Sequence, residues 1–223
     1  MKININYLSL VAIGNFNPAI LTPDFLNDVC QLNLGEPTHI TPPEIPVHKH
    51  IKFKNLDIEA LLEHLVIKET GPEDIYESYI LRIFDNIYRT LQFTPLKVVG
   101  VNVNCDLIDD TNTRADKLEL LISNPDTLLS FFEVNQIDVT EKFLQIISEK
   151  KWISSNYRID NVRELVRHIN VAKKKNSCNI NYNYEAGPLH KDKSKLDLLL
   201  GGYKSFCDEF FNFIKYLEGL INV

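Results

Sequence analysis

From Val99 to Cys105 every second residue, Val99, Val101, Val103 and Cys105, is apolar, and the residues between them are Gly100, Asn102 and Asn104. A period of two is the mark of a β-strand whose two faces meet different surroundings. The pattern returns near the C-terminus. Ile180, Tyr182 and Tyr184 alternate with Asn179, Asn181 and Asn183 before Gly187 and Pro188, and Leu165, Arg167, Ile169 and Val171 alternate ahead of them. With "KKKNS" between as a turn, these two runs predict a hairpin. Asparagine is a poor strand former, so its repeated use needs a reason: solvent exposure, a hydrogen-bonded partner or a ligand. Exposure is the simplest of the three and is the expectation for Asn102 and Asn104.

Other segments carry the helical period. Ile75, Tyr79, Ile80, Ile83, Ile87 and Leu91 form one stripe in a helix opened by Pro72 and stopped before Pro95. Tyr203, Phe206, Cys207, Phe210, Phe213, Ile214, Leu217 and Ile221 form another behind Gly201 and Gly202. Ile3, Ile5 and Tyr7 alternate with polar residues and then Tyr7 to Ile13 is apolar on both faces, which predicts a central strand. Thr22, Pro23 and Asp24 begin a short helix reaching about Gln31. "EPTHITPPEIP" holds four of the ten prolines and is loop. Between Val47 and Lys68 the signals conflict. His48, His50, Lys52 and Lys54 alternate as a strand would, whereas Ile58, Leu61, Leu62 and Leu65 sit at helical spacing behind Asp57. "PDTLLSFFEV" and "EKFLQII" leave the element type open.

These elements define an α+β chain, a mostly antiparallel sheet with two long amphipathic helices packed on one face. One domain spanning 1–223 is the expectation, with packed halves 1–109 and 113–223, a loose duplication, as the variant; no strict repeat aligns them. At 223 residues with 44% hydrophobic residues the chain can bury a large core, which excludes a disordered protein. No run of about 18 apolar residues occurs, and Asn4, Asn6 and Ser9 interrupt the first segment, so a soluble cytosolic protein with no membrane partner is expected. Cys30, Cys105, Cys178 and Cys207 are scattered without a C-x-x-C pair and read as reduced thiols.

A net charge of -6 argues against a molecule that is basic throughout, but the charge is segregated. Residues 150–195 hold eleven Lys or Arg against four Asp or Glu, an excess of seven that leaves thirteen net negative charges on the rest. The excess centres on Lys173, Lys174 and Lys175 at the hairpin tip and on Lys191, Lys193 and Lys195. With Tyr182 and Tyr184, these lysines are the candidate binding residues: they could meet an acidic protein face, or follow a phosphate backbone and stack bases.

Catalytic patterns are sparse. There is no G-x-S-x-G elbow, P-loop or dinucleotide glycine pattern, no catalytic residue is nominated and no cofactor is expected. Cys105 on an apolar strand face reads as core rather than nucleophile. His48 and His50 share a strand face but lack a third ligand and sit among lysines, so a solvated edge strand is preferred to a metal site. Asp106, Asp109, Asp110 and Asp116 could hold magnesium for phosphoryl chemistry, yet they fail the calcium-loop template and suit a soluble loop. The C-terminal helix, with Phe210, Phe211 and Phe213 nearly encircling it, could bury a flank in a second copy.

"TLQFTPLKVVGVNVN", Thr90 to Asn104, resembles a helix-to-strand element of small uncharacterised bacterial proteins in which T-P precedes G-[VI]-N by four residues. That resemblance brings no activity with it. The same stretch is also similar to SecB-type export chaperones, where a helix leads into an F-P-x-L-like run and V-N; it departs by the inserted Thr94 and by the downstream spacing. This second likeness implies client binding. Taken together, the sequence predicts a non-catalytic cytosolic binding or adaptor protein acting through protein contacts. The alternatives are a nucleic-acid binder using the basic hairpin, a SecB-like chaperone and a divalent-metal-dependent enzyme.

Overall fold

The computed structural model describes residues 2–42, 45–108, 117, 141–147, 152–160, 165–174, 177–191 and 193–222. Among the described residues ten strands form one sheet: β1 Lys2–Gly14, β2 His39–Ile40, β3 His48–Lys52, β4 Leu56–Leu61, β5 His64–Thr70, β6 Leu96–Ile108, β7 Glu141–Ile147, β8 Trp152–Asp160, β9 Leu165–Lys174 and β10 Ser177–Ala186. Their spatial order is β2-β3-β4-β5-β1-β6-β10-β9-β8-β7, and the recorded pairs are antiparallel. Among the described residues three α-helices of eight residues or more follow the chain order, α1 Ile80–Thr90, α2 Ser194–Gly201 and α3 Tyr203–Asn222. The α+β class is therefore as the alternating and helical periods predict, and β1 is indeed central.

Register explains how the alternation makes a core. One row crosses six strands as Ala60, Leu65, Ala12, Val99, Ala186 and Leu165, and all six are buried. On the same face lie Leu8, Leu10, Val101, Val103, Ile180 and Tyr182, each at 0–1% exposure. α1 covers the β1–β5 region with Ile80, Ile83, Phe84 and Ile87. α3 covers β10: the Tyr182 ring lies 5.4 to 5.9 Å from the rings of Phe206, Phe210 and Phe213, and Tyr184 stacks on Phe206 at 5.2 Å. Burying each such aromatic stabilises the fold by about 1.5–3 kcal/mol.

Several boundaries differ from the sequence reading. Pro72 does not open α1; a 3-10 turn at Ile75–Glu77 comes first, with Asp74 accepting from the Tyr76 N–H, and α1 begins at Ile80. Thr22 does cap, its Oγ1 accepting from Phe25 N–H at 3.1 Å, but the helix behind it is a single π turn, Phe25–Val29. The ambiguous 55–68 stretch is two strands. Leu56, Ile58 and Ala60 alternate inward, Leu62 and Glu63 turn the chain, and Leu65 and Ile67 resume on the same face, so the helical spacing of Ile58, Leu61, Leu62 and Leu65 is the product of a two-residue turn between strands. "EKFLQII" is strand β7, while "PDTLLSFFEV" lies outside the described residues. α2 lies in a stretch to which the sequence assigns no element; Leu196 and Leu199 bury its inner side.

The face opposite the helices overturns the expectation of simple exposure for the asparagines. Asn104 is only 8% exposed and Asn102 is half-buried. Asn102 Oδ1 accepts from Asn183 Nδ2 at 2.6 Å, and Asn104 Oδ1 accepts from Asn6 Nδ2 at 2.9 Å. In register, the row through Asn104 continues as Asn181, Asn170 and Asn156 on β10, β9 and β8. The amides of Asn102 with Asn183, and of Asn104 with Asn6 and Asn179, bond across strands, and these hydrogen bonds offset the weak strand propensity of asparagine.

Candidate functional site

The chain is drawn tight where β1 ends and β6 begins. α1 closes with the Leu91 N–H donating to the Ile87 carbonyl, and the Thr94 N–H then donates to the Leu91 carbonyl at 2.8 Å. Pro95 cannot continue a helix; its carbonyl accepts from Asn15 N–H at 3.1 Å. Gly14 is required here, because a Cβ on it would stand 2.4 Å from that carbonyl oxygen. On the other side of β6 the loop after β10 docks by the Leu189 N–H donating to the Lys97 carbonyl at 2.7 Å, with Gly187 pressed against Val98.

A cleft of about 300 Å³ opens between these two connections. Tyr88, Gln92, Phe93, Thr94 and Pro95 form one wall, Leu189, His190, Lys193 and Leu196 the other, and Leu96 lines it between them. Its volume is at the lower end for ligand cavities, about 300–1,000 Å³. Phe93 at its edge is 89% exposed. Ile13 and Leu62, both exposed, belong to the same end of the sheet: the Phe16 N–H donates to the Leu62 carbonyl at 2.9 Å and the Asn15 N–H to the Pro95 carbonyl. Among the described lining residues the bases are His190 and Lys193.

The sequence-predicted site residues do not gather in one place. Lys174 pairs in register with Ser177 and Lys173 with Cys178, at one end of the β9–β10 hairpin, whereas Lys191, Lys193 and Lys195 follow the other end. Ten residues of β10 separate the groups, about 30 Å at the usual strand rise. Lys191 and Lys193 are exposed and Lys195 is half-buried, while Lys175 lies outside the described residues. Tyr182 is 0% and Tyr184 8% exposed, and the Tyr182 hydroxyl donates to Glu209, so both rings belong to the core and present no face to a base.

The other candidates also find protein partners. His48 Nε2 meets Glu59 Oε1 and His50 Nε2 meets Asp57 Oδ1, both at 2.8 Å across the β3–β4 pair. Among the described residues no group of three or more His, Cys, Asp or Glu is disposed to hold a metal ion. Asp106 Oδ1 accepts from Asn179 Nδ2 at 2.8 Å; Asp109, Asp110 and Asp116 lie outside the described residues. All four cysteines are buried free thiols, and burial pushes the Cys105 thiol up to about 12, well out of the range of a neutral-pH nucleophile. Phe211 stacks on Tyr76 within the chain, with centroids 5.7 Å apart, and Phe210 and Phe213 are fully buried. Among the described residues no helix is long and apolar enough to cross a membrane.

Sequence reasoning missed the cleft. Its one signal was Phe93, an aromatic that fits neither the helical stripe ending at Leu91 nor the alternation starting at Val99. The chain matches no family model and no curated protein.

Proposed function

We propose that this chain is a non-catalytic, cytosolic binding or adaptor protein, and that it meets its partner protein at the end of the sheet that carries Phe93. The observation behind this reading is Phe93 itself, 89% exposed beside an apolar-walled cleft with Ile13 and Leu62 exposed at the same end. A large aromatic left in water beside a concavity is the arrangement of an interface anchor. Buried, free thiols suit a reducing compartment. The nucleic-acid alternative loses its stacking groups, because Tyr182 and Tyr184 lie in the core.

The test is affinity capture from native lysate with wild-type, Phe93→Asp and Lys174→Glu protein, with and without nuclease. A stoichiometric protein that survives nuclease, is lost with Phe93→Asp and is kept with Lys174→Glu supports the proposal. Nucleic acid recovered at low salt and lost with Lys174→Glu overturns it. So does turnover of a substrate by the purified protein that a point mutation abolishes without unfolding it.

A further inference from the structure

From the cleft we infer that the group it receives is the free C-terminus of a partner chain, an apolar last residue with its α-carboxylate; this rests on the protein-binding reading above. Charge is the first observation. Among the described lining residues the bases are His190 and Lys193 and there is neither an Asp nor a Glu, although the whole chain is at -6. An anion is therefore favoured at this place on a protein that repels anions overall.

The helix ends give the site a direction. α2 reaches the cleft with its first turn: Lys193 is its cap residue, no side chain caps the helix there, and Leu196 lines the wall one turn on. α1 reaches the opposite wall with its last turn, through Tyr88, and Gln92 follows two residues beyond its end. A helix N-terminus favours negative charge and a helix C-terminus favours N–H donors. A carboxylate thus belongs at the α2 wall and amide N–H groups at the α1 wall. A peptide terminus carries both, whereas a simple fatty acid carries only the first.

Volume and apolar lining supply the rest. About 300 Å³ walled by Pro95, Leu96, Leu189 and Leu196 suits one or two apolar side chains, and Phe93 stands at the edge to cover the residues before them. Capture of a terminal carboxylate is an established mode of peptide recognition.

The experiment uses the full chain and a fluorescein-labelled peptide, Gly-Ser-Gly-Ala-Leu, as free acid and as C-terminal amide, read by anisotropy, with octanoate as competitor. The free acid is expected to bind about tenfold or more tighter than the amide. Lys193→Ala should weaken the acid severalfold and leave the amide unchanged, and Phe93→Ala should weaken both alike. Equal affinity for acid and amide, or no acid binding at about 1 mM, overturns the inference. Octanoate binding without peptide binding also overturns it, by reassigning the cleft to a small molecule. If the peptides fail while Phe93→Asp still abolishes capture of a protein partner, the adaptor function stands and the C-terminus inference alone falls. If the free acid binds and no partner depends on Phe93, the cleft stands and the adaptor surface falls.

Discussion

Asn104 and Asn179 bond through both atoms of their amides: Asn104 Nδ2 donates to Asn179 Oδ1 and Asn179 Nδ2 donates to Asn104 Oδ1, each at 3.1 Å. The pair joins β6 to β10 diagonally, and Asn6 Nδ2 reaches Asn104 Oδ1 from β1. Asn179 also donates to the Cys105 carbonyl at 3.2 Å and to Asp106 at 2.8 Å. Truncating Asn104, 8% exposed, takes away the acceptor of Asn6 Nδ2 and the donor to Asn179 Oδ1. Asn104→Ala should cost about 1–3 kcal/mol. The double variant with Asn179→Ala should cost less than the sum of the singles, with a coupling of about 0.5–3 kcal/mol. Urea unfolding of the four proteins measures it; strict additivity would show the amide pair to be incidental.

Two glycines should respond with opposite sign to the same change. Gly14→Ala places a Cβ 2.4 Å from the Pro95 carbonyl oxygen, a backbone atom that cannot rotate away. The expected loss is about 1–3 kcal/mol. Gly219 lies inside α3 with nothing within 4 Å of its Cβ position, so Gly219→Ala should gain about 0.5–1 kcal/mol from helix propensity. Thermal unfolding checks both, and equal shifts would contradict the close approach at Gly14.

How much of this was legible in the sequence follows from where periodicity was unbroken. The β6 alternation and the β9–β10 hairpin were readable because ten and more residues keep one period, and the α3 stripe because twenty residues do. The β4–β5 pair was obscured because Leu62 and Glu63 shift the phase of the alternation between two short strands. α2 has eight residues, too few for a period to declare itself among lysines. The cleft was invisible for a different reason. Its walls come from 88–96 and 189–196, segments brought together by the β6–β10 pairing, and no local pattern encodes that meeting. The candidate tyrosines failed as surface groups because the face a strand buries is chosen by the helix that covers it, here α3.

Tyr76 reports on the α3 contact in solution. Its hydroxyl donates to Asp208 Oδ1 at 2.7 Å, and that bond, with lesser contributions from burial and the carboxylate charge, raises its pKa from 10.0 to about 12. Asp208→Asn removes the charged acceptor. The ultraviolet difference titration should then show one of the nine tyrosines moving back toward 10.0, an effect absent on a Tyr76→Phe background. No change in the tyrosine titration would mean that the bond is not kept in solution.

Alkaline pH should weaken the fold through its buried thiols. Burial, helped by the charge of Asp106, raises Cys105 from 9.0 to about 12, and burial raises Cys207 to about 11. Between these values and 9.0 the folded chain keeps protons that the unfolded chain releases. The stabilisation is therefore fully present below about pH 9 and is lost as pH rises through the folded values, at about 1.4 kcal/mol per pH unit for each discriminated thiol. Cys105→Val keeps the apolar volume and removes the proton. Across about pH 8 to 10.5 the wild type should lose more stability than the variant, by about 1–2 kcal/mol, in paired urea titrations. Native Cys105 should also resist a thiol reagent at neutral pH and react at the rate of unfolding, since only the thiolate attacks and this thiol is 0% exposed. If Cys105→Val follows the same pH curve as wild type, the thiol at the centre of β6 is not the group whose proton the alkaline fold defends.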